Sequence, residues 1–451
     1  MLRLAPPLIL VCAVAWGCDT GAARSAEPPA ETETDAEAPR HPFGAHDFTY
    51  AEGAALPAGD PEVLDAAAAV FYDDWKARYL VGGCGDDRAY VWTSDGDRDD
   101  PGGGQTGDSL TVSEAHGYGM IITALMAGYD PEAKALFDAL YGFFRDHPAR
   151  EAPDLMAWNH VVGCADGPEG GDESAADGDL DIAYALLLAD AQWGSAGDID
   201  YRGEAGRVLA AIAREEVHPD TGHVQLGSWV DPDEPALFDA VRCSDFMPGH
   251  LRAFAALDPA WLDTLEAGYT LFLDVQDRLS PETGLLPDFL VDTMDVAEAA
   301  APGFLEGDTD GAYGYNACRV PLRVAVDGLV SGEPRAARVV GRLSAWFRQS
   351  TGGGPAAIGD AYALDGRHAW DEPDSTMAFV APLAVAAMLD PAEAEWRDAL
   401  WAEVVERPLD AELYYGNTLK MLALIALSGN WFPPTGSTPA RHDPEKTHPA
   451  P

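Results

Sequence analysis

Between Asp60 and Asn430 apolar residues recur three and four positions apart, in runs near 61–79, 115–128, 131–146, 180–193, 201–216 and 246–256. The same spacing returns near 259–275, 317–330, 334–349, 376–389, 392–404 and 412–428. This periodicity puts one apolar face on a helix, so twelve helices are predicted. Asp130-Pro131, Asp258-Pro259 and Asp390-Pro391 are read as helix starts with Pro in the first turn. Helices joined by such short turns pack antiparallel. Twelve helices in six hairpins make a closed (α/α)6 toroid, and alternation of the strand type is scarce. The predicted fold class is all-α.

Four stretches interrupt the helical pattern: residues 82–113, 147–176, 217–244 and 277–315. They are too long for plain connections and carry many of the acids and tryptophans, so they are expected to wall a cleft. The ends of the chain differ again. Arg3 followed by the apolar run Leu8–Ala15 and Gly17-Cys18 reads as an export signal over residues 1–18, with Cys18 a candidate for lipidation. Residues 19–59, rich in Ala, Glu, Pro and Thr, are expected to be a disordered linker, and 433–451 a disordered tail. The folded domain is then 60–432, part of a bacterial cell-envelope lipoprotein or secreted protein, and a monomer.

Charge and cysteine content narrow the partners. A formal charge of −48, from 28 Lys+Arg against 76 Asp+Glu, repels phosphate backbones and anionic lipid. Nucleic-acid partners are excluded on that ground, and membrane contact is expected only through the N-terminal lipid. Cys84 and Cys164 sit in Gly-rich loops and are the pair expected to bridge in an oxidising compartment. Neither a CxxC motif nor a His cluster in sequence suggests a metal.

Two segments carry candidate chemistry. In Ser113-Glu114-Ala115-His116-Gly117-Tyr118-Gly119, Ser113 reads as a helix cap and Glu114 as a first-turn acid. In Ala176-Asp177-Gly178-Asp179-Leu180-Asp181-Ile182-Ala183, three alternate acids cannot all make cap bonds, so at least one should face the cleft. With the closing Ala189 and Trp193, this segment resembles the signature of glycoside hydrolase family 8, with Ala176 in place of its Ser/Thr. The Glu114 block resembles the family's proton-donor motif. Tyr315-Asn316-Ala317-Cys318-Arg319 resembles its Tyr-Asp-Ala-x-Arg segment, and Tyr414-Tyr415-Gly416-Asn417 a fourth block. The blocks follow the family's order over about residues 60–430, and the family's fold is also an (α/α)6 toroid.

The resemblance implies an endo-acting, inverting β-1,4-glycan hydrolase that needs no cofactor or metal. Glu114 takes the place of the general acid and Asp177 of the carboxylate that holds and distorts the sugar. Partial burial and a nearby Asp177 anion are expected to raise the Glu114 pKa. Asn316 departs from the branch of the family that has an Asp base there. A second branch, with chitosanases and lichenases, carries Asn and takes its base from a Glu in the preceding insertion. Here that insertion offers Glu306, Asp308 and Asp310, with Glu298 further back. Glu306 is preferred, because Phe304-Leu305 would anchor it inward while Asp308 and Asp310 read as solvated turn residues.

Trp158, Trp229, Tyr315 and Tyr414 are candidate sugar platforms, whereas Trp193, Trp346 and Trp401 fall at core spacing. Arg319 and Asn316 complete the expected substrate-binding set, and Arg319 also suits fixing the nearby acids. His116 reads either as lining the cleft or as a structural histidine. The substrate stays open between chitosan, β-glucan and xylan. The rival reading is a tethered polysaccharide-binding protein on the same fold that has lost catalysis.

Overall fold

The computed structural model describes residues 38–94, 109–168, 170–371 and 373–434. Cys18, the export signal and most of the C-terminal tail lie outside them. Thirteen α-helices are present among the described residues. They are α1 (Pro61–Tyr79), α2 (Ser113–Leu125), α3 (Ala133–Asp146), α4 (Ala176–Trp193), α5 (Tyr201–Glu215), α6 (Pro235–Phe238) and α7 (Pro248–Phe254). After them come α8 (Trp261–Leu279), α9 (Val320–Ser331), α10 (Pro334–Ser350), α11 (Met377–Ala386), α12 (Ala394–Glu406) and α13 (Tyr414–Leu427). The helix α6 is one turn within a loop; the other twelve are those the periodicity predicts.

Helices α2, α4, α7, α9, α11 and α13 pack in succession, and α13 returns to α2, which closes an inner ring. Each carries an outer partner: α3, α5, α8, α10, α12 and α1 respectively. Burial separates the two layers. Every residue of α11 is buried and α2 leaves only Glu114 partly open, whereas α3 buries one stripe, Ala133, Phe137, Leu140, Phe143 and Phe144. An all-round apolar helix belongs inside and an amphipathic one outside, so sequence alone sorts the rings. The architecture is an all-α (α/α)6 toroid.

Helix starts differ in detail from expectation. Pro131, Pro259 and Pro391 do not open helices; α3, α8 and α12 begin later. At each site the Asp before the Pro accepts the N–H two residues on (Glu132, Ala260 and Ala392), making an Asx turn that leads into the helix. Ser113 is not a cap either: it is the first residue of α2, with Val112 in the cap position and no side-chain cap bond.

Strands are short and confined to the loops. They are β1 (Leu80–Gly82) with β2 (Ala89–Val91), β3 (Ser109–Val112) with β4 (Asn159–Val161) and β5 (Ala165–Asp166), and β6 (Val241–Arg242) with β7 (Phe289–Val291) and β8 (Glu298–Ala299), all antiparallel. Cys84 and Cys164 form a disulfide with Cα atoms 5.6 Å apart, tying the β1–β2 turn to the β4–β5 turn. Cys243 and Cys318 are free and buried.

Residues 38–59, expected within the disordered linker, are instead a strap across one end of the toroid. Phe43 N–H donates to the Ala127 carbonyl, Arg40 to Gln192, Ala51 to Leu329 and Ala55 to Met388, and the Tyr50 hydroxyl donates to Ala426. These acceptors lie at or just past the C-terminal ends of α2, α4, α9, α11 and α13. Helix ends leave their last carbonyls without intrahelical donors, and the strap supplies them. Low apolar content hid this role, because the strap is held by backbone bonds and a few rings, such as His41 stacked on Phe432 at 4.7 Å.

Candidate active site

With the C-terminal ends strapped, the N-terminal ends of the inner helices form the opposite rim, and the acids gather there. Two glycines bring α2 and α4 together. A Cβ on Gly178 would lie 2.3 Å from Ser113 Oγ, and one on Gly117 would lie 2.5 Å from Asp181 Cβ. Only glycine permits this approach, which sets Glu114, second in α2, beside Asp177, second in α4.

Arg319, 1% exposed, joins them. Its Nη1 donates to Glu114 and, at 2.8 Å, to Asp177; its Nη2 donates to Asn316 Oδ1 at 2.8 Å. Asn316 Nδ2 then donates to Glu306 at 2.8 Å, and Arg242 Nη2 donates to the other Glu306 oxygen at 2.7 Å. One guanidinium and one amide therefore stand between Glu114 and Glu306. Asn316 is held from below by Asp288, which accepts the N–H groups of Gly314 (3.0 Å), Asn316 (3.1 Å) and Ala317 (2.6 Å).

The two glutamates differ in proton affinity. Burial pushes the Glu114 carboxyl up to about 7; Arg319 opposes this and the Asp177 anion adds to it. Burial acts on Glu306 in the same direction, but Arg242 and the Asn316 amide outweigh it and hold Glu306 below the usual glutamate value. Asp177 is likewise held down, because Arg319, Arg242 and the Gly178 N–H overcome its desolvation. At near-neutral pH the rim thus pairs a carboxyl able to keep its proton with a carboxylate able to accept one.

The remaining acids of the α4 motif turn inward. Asp181 is buried against Arg323 and His250. Asp179 accepts the Met156 N–H at 2.9 Å and lies near buried Glu216, whose proton is held up to about 8 chiefly by burial. Ser174 donates to Glu216 at 2.5 Å. The expectation for the insertion needs two corrections. Asp310 is buried, not solvated, and accepts the N–H groups of Leu305 (2.7 Å), Glu306 (3.1 Å) and Gly307 (2.9 Å), which cradles the turn that carries Glu306. Leu305 is exposed; only Phe304 anchors, its ring 5.9 Å from Phe289.

Tyr414 is 2% exposed and packed edge-on against Tyr79, so it is no open sugar platform. Its neighbour Tyr415 is the half-buried ring, donating to the Tyr315 carbonyl at 2.6 Å. Tyr315 is exposed, with its hydroxyl on Asp360 at 2.9 Å. Trp158 is half-buried and donates to the Gly170 carbonyl, and Trp229 lines a cavity of about 350 Å³ with Arg150, Glu151, Glu173 and Ser228. His116 is fully buried, bonded to the Leu140 carbonyl and stacked on Phe143, hence structural. Sequence reasoning missed Arg242, Asp288 and Glu216. None lies in a block that resembles the family, and in sequence Arg242 is one basic residue in a loop.

A toroid of helical hairpins with two unlike carboxyls across its open rim defines a class, that of the (α/α)6 glycoside-cleaving enzymes. The profile described as "Glycosyl hydrolases family 8" matches residues 88–429. A β-glucanase of Niallia circulans is 37% identical over 399 residues, 88% of this chain and 92% of that protein. An endoglucanase of Bacillus sp. (strain KSM-330) is 36% identical over 377 residues, 83% of this chain and 78% of that protein. The apo structure of a β-1,3-1,4-glucanase from Paenibacillus sp. X4 superposes with a TM-score of 0.81 at 36% identity, covering 88% of this chain and all of that one. The chain belongs to glycosyl hydrolase family 8, and it is a glycoside hydrolase.

Proposed function

We propose that this protein is an endo-acting, inverting β-glucanase in which Glu114 is the general acid and Glu306 the general base. The observation that carries the reading is the link Glu114–Arg319–Asn316–Glu306. Its two ends are held in opposite protonation states. Its middle is an amide that cannot accept a proton from water but does orient the carboxylate that can. Asn316 and Glu306 thereby act as a pair: with an Asp at 316, two carboxylates would face each other. Asp177, fixed by Arg319 and the Gly178 N–H, is the carboxylate that holds the sugar at the cleavage point.

Inversion proceeds in one displacement. Glu114 gives its proton to the glycosidic oxygen as that bond breaks, and Glu306 takes a proton from the water that attacks the opposite face. The product is an α-anomer from a β-linked chain. The relatives are named as a β-glucanase, an endoglucanase and a β-1,3-1,4-glucanase, which favours glucan over chitosan or xylan as substrate. The test is to incubate the purified protein with mixed-linkage β-glucan, carboxymethyl cellulose, chitosan and xylan, count new reducing ends, and record the first product by NMR. Release from the glucans with an α-anomer supports the reading. A β-anomer refutes inversion, and polymer binding without release from any substrate makes the protein a binding protein on this fold. For localisation we propose export, carried by residues 1–18 and, if Cys18 is acylated, anchorage at the cell envelope.

A further inference from the structure

At the β3–β4–β5 sheet, three side chains converge that the reaction does not use. His160 lies in β4, Asp166 opposite it in β5, and His147 directly follows α3. One donor atom from each can be chosen so that all lie within 4.8 Å of one another. Sequence gave no sign of this, since the residues are separated by 12 and 5 others and only the β4–β5 turn and the end of α3 bring them together.

His160 is the informative member. It is fully buried, yet neither ring nitrogen has a hydrogen-bond partner. A buried imidazole without partners is costly and rare. Asp166 Oδ1 stands 3.6 Å from His160 Nε2, too far for a hydrogen bond. It is close to the separation of roughly 3.3 Å between two ligand atoms that share one tetrahedral zinc with bonds near 2.0–2.1 Å. The ring of His147 is 4.5 Å from that of His160, and Asp166 is open to solvent, which gives an ion a route in.

We propose that His147, His160 and Asp166 form a binding site for a transition-metal dication of the zinc type, completed by water. Two imidazoles and one carboxylate suit that ion class, whereas magnesium and calcium prefer all-oxygen sets. The site's role is structural. It would clasp the end of α3 to the β4–β5 turn, which the Cys84–Cys164 disulfide already ties to the β1–β2 turn. From β4 the path to the rim is short: Asn159 pairs with Val112, and the Trp158 carbonyl accepts the Ser113 N–H at 2.9 Å, one residue before Glu114.

The test uses the untagged full chain, treated with chelator and dialysed. Zinc is titrated calorimetrically, and bound metal is counted after gel filtration. The expected result is one zinc per chain, with tetrahedral visible absorption when cobalt(II) replaces it. At zinc 100-fold above Kd, Tm should rise by about 3 °C. Asp166→Asn and His147→Gln change partly exposed side chains, so the fold should persist, and each should weaken binding at least tenfold. Less than a tenth of a zinc per chain, or uptake equal in the parent and both variants, overturns the proposal.

Discussion

Asn316→Asp changes a hydrogen bond into a repulsion at one defined place. The parent amide donates to Glu306 at 2.8 Å and accepts from Arg319 at 2.8 Å. The variant keeps the acceptor, so the Arg319 cluster with Glu114 and Asp177 should survive. Glu306 instead loses a donor and gains a neighbouring anion. Two unit charges about 4 Å apart interact by about 4 kcal/mol at an effective dielectric of 20, equivalent to about 3 pKa units. The Glu306 side chain is 45% exposed, so solvent screens much of this, and a rise of about 1–2 units is expected. The assay is kcat/KM against pH on soluble mixed-linkage β-glucan, read by reducing ends. Glu306 must be ionised to work, so its titration sets the acidic limb, which in the parent lies below the ordinary glutamate value. That limb should move up by about 1–2 units in N316D, while the alkaline limb stays near pH 7. An acidic limb that does not move, or moves down, refutes the pairing of Asn316 with Glu306 as base.

Three further perturbations probe the acid and the scaffold. Glu114→Gln should lower kcat by roughly 10²–10⁴ while the polymer is still retained in a pull-down. In the parent, kcat/KM should fall as pH rises through about 7, because the working acid loses its proton there; a rise across that range contradicts the assignment. Tyr50→Phe removes a hydroxyl that donates to the Ala426 carbonyl and accepts the Trp431 N–H, and should cost about 1–3 kcal/mol in urea unfolding with kcat unchanged. Glu216 keeps its proton to about 8 in the fold but ionises near 4.5 when free, so its contribution to stability is lost as pH rises between those values. Glu216→Gln should therefore raise Tm relative to the parent more at pH 8 than at pH 5, and an equal difference at both would show that the fold does not hold the Glu216 proton up.

The ring of helices was legible because each helix buries an apolar stripe or its whole surface, and that is a local property. The rim was legible only in part. Glu114, Asp177 and Arg319 lie in short blocks whose order betrays them, whereas Arg242 reaches Glu306 across 64 positions and has no local pattern to mark it. Asp310 misled for a related reason: beside Gly and Thr it looks solvated, yet its side chain is spent on three backbone N–H groups. Tyr414 misled by one position, since the helix that begins there turns it into the core and leaves Tyr415 half-buried against the Tyr315 carbonyl. The Pro-led helix starts were off by two or three residues because Asp-Pro also specifies an Asx turn, and the pattern alone does not choose between them.

The strap and the rim answer opposite needs of the same ring. Parallel inner helices leave carbonyls at one end and N–H groups at the other, with the macrodipole negative at the first and positive at the second. The carbonyl end is satisfied by a segment whose own backbone donors suffice, so its sequence can be poor in apolar residues. The N–H end attracts carboxylates, and Asp177 accepts the Gly178 N–H there. That same field works against a protonated Glu114, since a positive helix end favours the anion. Glu114 nevertheless keeps its proton to about 7, and the cause is burial reinforced by Asp177. The tight contact of Gly117 and Gly178 between α2 and α4 secures both, since it excludes water and sets the two acids side by side. A methyl group at either glycine would part the helices, and the acid would lose the environment that keeps its proton.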